Sequence, residues 1–250
     1  MIDSLTIAIW VGLTFTVAGL VKGVVGMGLP TVAMGVLSLL LPPAAAAAML
    51  VVPSLVTNVW QLLAGPAFGA LLRRLATMMV AVVVGTLLGI GVLTGQSAKL
   101  AGGGLGAVLA LYGLFGLLAP RFTVAKPAEA WLSPLVGLLT GLFTGATGVF
   151  VIPAVPYLSA LGLVKEDLIQ ALGLSFTVST LALACALALS GQFQLAAASN
   201  SFVAVIPALL GMFIGQRVRE LLRPESFRRW FFVGLVVLGF YMLGRVVVAQ

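Results

Sequence analysis

Long apolar runs recur along the whole sequence, and they constrain the fold more strongly than any other feature. A helix needs about 20 apolar residues to cross a bilayer, and several of the runs reach that length. The chain is 62% hydrophobic and 8% charged, whereas soluble domains carry roughly a quarter charged residues. Because lipid offers the backbone no hydrogen bonds, helices are the expected form of such runs. The sequence therefore predicts an all-α polytopic membrane protein.

The apolar runs divide into ten predicted helical segments, five in each half of the chain. The run 29–41 gives only about 20 Å of helix, too little for a hydrocarbon core of about 30 Å, and 149–163 is similarly short. Short, Gly/Pro-interrupted segments at matching places indicate the binding site of a transporter. We predict one transporter domain over 1–250, with repeats at about 1–120 and about 130–250. The segments are approximately 4–21, 29–41, 43–64, 76–94, 100–118, 131–144, 149–163, 167–190, 198–216 and 229–248.

The two halves repeat a glycine-rich motif, which indicates an internal duplication. Residues 19–26 read GLVKGVVG and residues 141–148 read GLFTGATG, and four of the eight positions are identical. Pro30 then corresponds to Pro153 in the second half. Further along, small-xxx-small pairs recur in the same order and are expected to be plain packing contacts. These pairs are Gly85 with Gly89 and Gly211 with Gly215.

Basic residues lie between the apolar runs and predict which loops face the cytoplasm. On this rule residue 43 is external while its counterpart near Lys165 is cytoplasmic, so the two halves are inverted. Each half then has three full crossings, preceded by a pair of segments that enters and leaves from the same side. That pair is either a re-entrant hairpin or two closely packed crossings, and the sequence leaves both open. The residues that mark cytoplasmic loops are Arg73, Arg74, Arg121, Lys126, Arg217, Arg219, Arg223, Arg228 and Arg229.

The stretch KGVVGMGLP at 22–30 predicts a broken helix in the first pair of segments. Proline at 30 suits the first turn of a new helix, and glycines leave backbone amides accessible. The positive end of that helix, with its free amides, is a candidate anion site. Alternatively, the glycines only permit close helix packing. The candidates at the two breaks are Gly23, Gly26 and Gly28 in the first half and Thr144, Gly145, Thr147 and Gly148 in the second, where the two threonines would be neutral donors.

Lys22 is the only lysine or arginine in the first 70 residues, and the predicted topology places it deep in the first pair. A cation at membrane depth indicates a functional site, although its side chain could instead extend to the far headgroups. A polar stripe follows on the third segment, with Ser54, Thr57, Asn58 and Gln61 on one helical face. We interpret Asn58 and Gln61 as pathway residues. The mirrored Ser175 and Ser179 either bind substrate or only form interhelical hydrogen bonds.

The distribution of ionisable residues excludes several classes of function. The chain has no histidine, and all six acids lie at segment ends or in loops. A cation pump or proton relay usually needs a buried carboxylate, and a hydrolase needs paired carboxylates, histidine or a metal. We therefore predict no enzyme activity, no metal site and no cofactor. The net charge of +7 does not indicate nucleic-acid binding either, because the basic residues sit in short loops.

The glycine-rich stretches AGLVKGVVGMGLPTVAM at 18–34 and GLLTGLFTGATGVFVIPAVPYL at 137–158 resemble the sulfite exporter TauE/SafE family. The family pattern of spaced glycines followed by proline fits the first copy. The second copy has Phe150 where the last glycine would fall, so the two half-sites are expected to differ. The resemblance implies transport of sulfite, organosulfonates or related small anions across a bacterial inner membrane, and it extends over the whole chain.

Together these features predict a secondary transporter of a small anion that works by alternating access. Its partners would be the anion and the lipid bilayer, and the sequence leaves assembly into a homo-oligomer open. An anion channel is the main alternative, followed by a non-transporting membrane subunit and a membrane-embedded enzyme. The predicted substrate-binding residues are Lys22, Gly23, Gly26, Gly28, Asn58, Gln61, Thr144, Gly145, Thr147, Gly148, Ser175 and Ser179.

Overall fold

The computed structural model describes residues 4–95, 98–118, 122–192, 201–221 and 224–248, and no strand occurs within these ranges. The prediction of an all-α protein is confirmed for them. Within these residues the following bounded helices succeed one another in chain order. They are α1 (Ser4–Val25), α2 (Leu29–Leu37), α3 (Pro43–Leu63), α4 (Phe68–Thr94), α5 (Ala98–Leu118), α6 (Lys126–Thr147), α7 (Ala154–Ala160), α8 (Lys165–Leu189), α9 (Val205–Leu221) and α10 (Pro224–Val248).

Among the described residues, eight helical segments are long and apolar enough to cross a membrane, whereas α2 and α7 are not. The helix α2 has nine residues and α7 has seven, so each extends only about 10–14 Å. The prediction of two short segments at matching places is therefore confirmed. Each short helix follows a helix of full length, so the first pair in each half is one long helix and one half-length helix.

The helices begin earlier at their charged ends than the apolar runs indicated. Arg73 and Arg74 were expected in a loop, but α4 begins at Phe68 and contains both of them. Lys126 likewise begins α6 instead of lying in a loop. The physical reason is that a helix satisfies its backbone wherever it continues, so it extends beyond the hydrocarbon layer into the headgroup region. An apolar run marks only the part of the helix that lies in hydrocarbon.

The two helix breaks depend on glycines with positive φ. Gly26 and Gly28 have φ of 81° and 103° between α1 and α2, and Gly148 has φ of 72° at the end of α6. Other residues rarely adopt these angles. Pro30 lies in the first turn of α2, where its missing N–H leaves no hydrogen bond unmade. The breaks therefore fall where the glycine and proline pattern predicted them.

Close glycine contacts join helices from the two halves of the chain. A Cβ on Gly19 or Gly23 of α1 would collide with backbone atoms of α9, and one on Gly211 of α9 would collide with the Thr16 carbonyl oxygen. The contact of α6 with α4 repeats this arrangement. There a Cβ on Gly141 would meet the backbone of α4, and those on Gly85 and Gly89 would meet that of α6. The prediction that these pairs are packing contacts is confirmed.

Two further large contacts join helices at equivalent places in the two halves. The helices α5 and α10 run antiparallel, because Gly106 faces Gly239 while Gly113 faces Phe232 and Val236. Likewise α3 and α8 run antiparallel, since the end of α3 meets the beginning of α8. An inverted duplication predicts that its equivalent helices will pack in this way. The inverted repeat itself stays a prediction.

The pair α6 and α7 enters and leaves at one end of the structure. The Val124 N–H, just before α6, donates to the Ala160 carbonyl oxygen at the end of α7 over 2.9 Å. At the same end Arg74 forms an ion pair of 2.6 Å with Glu129 and donates to the Leu161 carbonyl oxygen over 3.3 Å. This end therefore carries Arg74, one of the arginines that the sequence assigned to the cytoplasm.

Replacing Gly85 by alanine tests the glycine contact between α4 and α6. The added methyl group meets backbone that cannot move independently, so Gly85→Ala should lower the free energy of unfolding by about 1–3 kcal/mol. Gly91→Ala on the same helix is the matched control, because no atom lies within 4 Å of its Cβ position. Thermal unfolding in detergent measures both variants, and equal stabilities would contradict the packing role of Gly85.

Candidate functional site

Lys22, near the end of α1, turns its side chain into the interior of the helix bundle. It is 4% exposed and is the only charged residue in the buried class among the described side chains. Its ammonium donates a hydrogen bond to Asn58 Oδ1 on α3 and lies 5.9 Å from the centroid of the Phe176 ring on α8. Of the two orientations left open by the sequence, the structure has the inward one, and the side chain does not extend to the headgroups.

A chain of hydrogen bonds continues from Lys22 through α3 into α8. Asn58 uses its carbonyl oxygen for the ammonium and donates from Nδ2 to Thr180 Oγ1 over 3.1 Å. Thr180 then donates to the Phe176 carbonyl oxygen over 2.7 Å. Asn58 and Thr180 are both fully buried. The single cation is therefore compensated by a neutral amide, a weaker partner than a carboxylate.

One aromatic ring, that of Phe176, lies beside the ammonium, and the Phe150 ring packs against it. Phe176 and Phe150 are both fully buried, and their ring centroids lie 5.5 Å apart. Phe150 belongs to the second helix break and occupies the position where the motif of the first break has a glycine. The expectation of unlike half-sites stays a prediction, but the contact shows what the departure does locally. Phe150 places an apolar ring in the second break, and this ring packs against Phe176, which lies beside the Lys22 ammonium.

Several buried hydroxyl groups in the same helices have no hydrogen-bond partner. They include Ser54 Oγ on α3 and both Ser175 Oγ and Ser179 Oγ on α8. Thr31 Oγ1, in the first turn of α2, is also without a partner. A buried polar group left in this state costs about 1–3 kcal/mol. These hydroxyls are consequently donors and acceptors available to a ligand or to water.

Gln61 closes the first helix break. Its Nε2 donates to the carbonyl oxygens of Gly26 and Ile169, both over 3.1 Å. Its Oε1 is buried without a partner. The side-chain amide of Gln61 thus connects the break at Gly26 with the beginning of α8 at Ile169. It was predicted as a pathway residue, and its contacts are those of a positioning residue.

The other predicted residues divide between packing and conformation. Gly23 and Gly145 lie in the glycine contacts with α9 and α4. The hydroxyls of Thr144 and Thr147 donate over 2.7 Å to carbonyl oxygens of their own helix, so their protons are not free for a ligand in this conformation. The remaining three supply the backbone angles of the breaks, namely Gly26, Gly28 and Gly148.

The predicted binding residues did not include Ser54, Thr31, Phe176 or Thr180, although the sequence placed Ser54 on the polar face of the third segment. Thr180 follows Ser179 on the polar stripe, so its position on that face was a usable signal. Thr31 lies directly after Pro30, in the first turn of the broken helix. Phe176 gave no signal, since one aromatic residue in an apolar helix is usually a packing residue. Within the described ranges, no group of three or more His, Cys, Asp or Glu residues could hold a metal ion.

Comparison with known proteins gives one match. The family model described as Sulfite exporter TauE/SafE matches residues 11–242, nearly the whole chain. No curated protein and no solved structure matches the chain significantly.

A double-mutant cycle tests the contact between Lys22 and Asn58. Asn58→Leu should lower the free energy of unfolding by about 3 kcal/mol, because it leaves a buried charge without its partner. In a Lys22→Met background the same replacement should cost at least about 1 kcal/mol less. Thr57→Val is the matched control, since Thr57 is buried on the same helix but donates to its own backbone. Unfolding in detergent that shows strict additivity for Lys22 and Asn58 would contradict the contact.

Proposed function

The chain belongs to the sulfite exporter TauE/SafE family, and we propose that it is a secondary transporter that carries a small anion by alternating access. The family is one of membrane transporters and not of enzymes. The proposed substrate is sulfite or an organosulfonate, and the proposed location is the bacterial inner membrane. The substrate-binding centre comprises the Lys22 ammonium and the partner-free hydroxyls of Ser54, Ser175 and Ser179.

The single observation that carries this proposal is a buried cation whose hydrogen-bond partner is a neutral amide. An oxyanion such as sulfite offers several acceptor oxygens, and the ammonium has two protons beyond the one that Asn58 accepts. The ammonium would provide a charge-assisted hydrogen bond and the serines neutral ones. Because no carboxylate is among the buried described residues, nothing in this interior would repel the anion.

The neutral partner of Lys22 favours release as well as binding. An anion can displace the Asn58 carbonyl oxygen from the ammonium, since an amide binds a cation less strongly than an ionised group does. When the anion leaves, Asn58 compensates the ammonium again. A buried carboxylate partner would instead compete with the substrate, and a buried cation without any partner would be costly.

The enclosure of the centre favours a carrier over a channel. Lys22 is 4% exposed and Asn58 is fully buried, so an anion reaches them only after helices move. The glycine contacts of α1 with α9 and of α6 with α4 are candidate surfaces for this movement, because they are equivalent in the two halves. We propose that the halves are inverted repeats, so that each half can adopt the conformation of the other.

Flux measurements in proteoliposomes test the proposed transport. Sulfite flux should saturate with concentration, and Lys22→Met should lower kcat/KM by about 10- to 100-fold, the value of one hydrogen bond to a charged group. Lys165→Met is the control for loss of a positive charge, because Lys165 is exposed at the beginning of α8. Flux that rises without saturation would favour a channel. Unchanged flux of every anion in Lys22→Met would refute the proposed centre.

Anion-dependent thermal stabilisation identifies the substrate class independently of flux. A ligand at about 100 times its Kd stabilises the folded state by about 2.7 kcal/mol. Sulfite, sulfoacetate, taurine, sulfate and acetate should be compared in detergent, with a cation as control. We expect a selective increase in melting temperature with sulfite or a sulfonate, lost in Lys22→Met. The same increase in both proteins would place anion binding elsewhere.

A further inference from the structure

One cavity towards each end of α10, apart from the Lys22 centre, has both an arginine and a serine in its wall. The first has a volume of about 360 Å³, lies between α5, α7 and α10, and includes Arg228 and Ser159 in its wall. The second has a volume of about 270 Å³, lies between the end of α2, α5 and α10, and includes Arg245 and Ser38. The two arginines are separated by 17 residues of helix, or about 26 Å along its axis.

The first cavity extends from Arg228 to the first helix break. The Arg228 guanidinium lies 6.0 Å from the centroid of the Phe232 ring, and that ring packs edge-on against Tyr112 with centroids 5.2 Å apart. The Tyr112 hydroxyl donates to Met27 Sδ over 3.0 Å. Met27 lines the cavity and lies between Gly26 and Gly28. The inner wall of the cavity is therefore the break that follows Lys22 in the chain.

The bond from Tyr112 to Met27 is easily replaced. A thioether is a weak acceptor, and an oxyanion in the cavity would offer the phenol a stronger, charge-assisted bond. Tyr112 is 1% exposed, so its hydroxyl has little access to solvent. Arg228 at the outer wall and the phenol at the inner wall thus provide two donors for an anion.

The second cavity, at the opposite end of α10, likewise has an arginine and a serine in its wall. Arg245 donates to the Leu39 carbonyl oxygen over a long distance of 3.4 Å. Beside it Ser38 Oγ is buried without a partner. Ser38 follows α2 directly, as Ser159 lies at the end of α7. In both cavities a serine from the end of a short helix therefore accompanies an arginine of α10.

The position of Arg245 is unusual for a residue that only marks topology. The arginines at the other end are numerous and fit the positive-inside rule. Arg245 lies three residues before the end of α10 at Val248, towards the end that the sequence assigned to the outside. A cation there does not follow from the rule, so its place in a polar cavity calls for another explanation.

We propose that the two cavities are recruiting sites for the transported anion, one on each face of the membrane. The inference rests on the proposed transport of a small anion by the Lys22 centre. Arg228 would bind the anion on the cytoplasmic face and Arg245 on the external face, before the helices open the way to Lys22. The ligand is a small oxyanion of the sulfite or sulfonate class. A phospholipid headgroup shares this chemistry and is the competing occupant.

Transport measured separately from the two faces tests this proposal. Sulfite entry into intact cells reports the external face, and sulfite entry into inverted membrane vesicles reports the cytoplasmic face. Arg228→Gln should raise the KM about fivefold or more in inverted vesicles and leave the KM of cells unchanged, because it removes the attraction that concentrates the anion at that entrance. Arg245→Gln should give the reverse pattern. Arg229→Gln is the control, since Arg229 is exposed next to Arg228 and lines neither cavity.

Each other outcome overturns a particular part of the inference. If Arg228→Gln and Arg245→Gln leave the KM at its wild-type value on both faces, or change it equally on both, the recruiting role is overturned. If Arg229→Gln raises the KM as Arg228→Gln does, the increase is a general effect of surface charge. Proteoliposomes made only of phosphatidylcholine separate the anion from the lipid headgroup. An effect of Arg228→Gln that vanishes there and returns with phosphatidylglycerol would assign the cavity to lipid. If the wild-type protein carries no anion, or Lys22→Met carries anions normally, the proposed function is refuted. That outcome is distinguishable from failure of the recruiting sites, because it is observed with both arginines in place.

Discussion

The backbone of the first helix break must be satisfied inside the protein, because lipid offers no hydrogen bonds to the open ends of α1 and α2. The Gly26 N–H bonds to the Lys22 carbonyl oxygen over 2.7 Å, and the Gly26 carbonyl oxygen accepts from Gln61. This second bond fixes the end of α3 against the break. One turn earlier on the same helix, Asn58 then meets the Lys22 ammonium. The polar centre is thus a consequence of how the break is closed, and the glycine contacts of α1 with α9 hold the broken helix within protein.

The two halves share a framework but divide its chemistry unequally. Both first helices pack through glycines, and both are followed by a short helix. The first half supplies the cation, while at the corresponding position the second half has Thr144, whose hydroxyl bonds to its own helix. The second break also carries Phe150, which packs against Phe176. A second cation at this depth would add a desolvation penalty of several kcal/mol and would bind an anion too firmly for release. In the proposed mechanism, one cation for the two halves would suit a site that both binds and releases an anion.

Sequence patterns predicted the helices and the breaks because lipid imposes a single rule on every segment. The lengths of the apolar runs predicted the membrane-spanning helices, and the pattern of glycine and proline predicted the helix breaks. The same rule could not predict that α4 begins at Phe68 and includes Arg73 and Arg74, because a helix continues beyond the hydrocarbon. Helical spacing placed Asn58 and Gln61 on one face, yet a face does not specify a partner. Only tertiary packing decides that Asn58 contacts the ammonium while Gln61 holds the Gly26 carbonyl oxygen. Phe176 was missed because an apolar ring has no polar pattern.

The partner-free hydroxyls have a consequence for the proposed transport mechanism. Closing the helices around Ser54, Ser175 and Ser179 without a ligand removes water from each hydroxyl and returns no hydrogen bond, at about 1–3 kcal/mol apiece. A bound oxyanion restores those bonds and compensates the Lys22 charge. In the proposed mechanism the enclosed conformation is therefore favoured with the anion present and disfavoured when empty. A ligand shifts a conformational equilibrium only by its differential affinity for the two states, and these hydroxyls provide that difference. Polar groups that weaken the empty structure would thereby link helix movement to the presence of substrate.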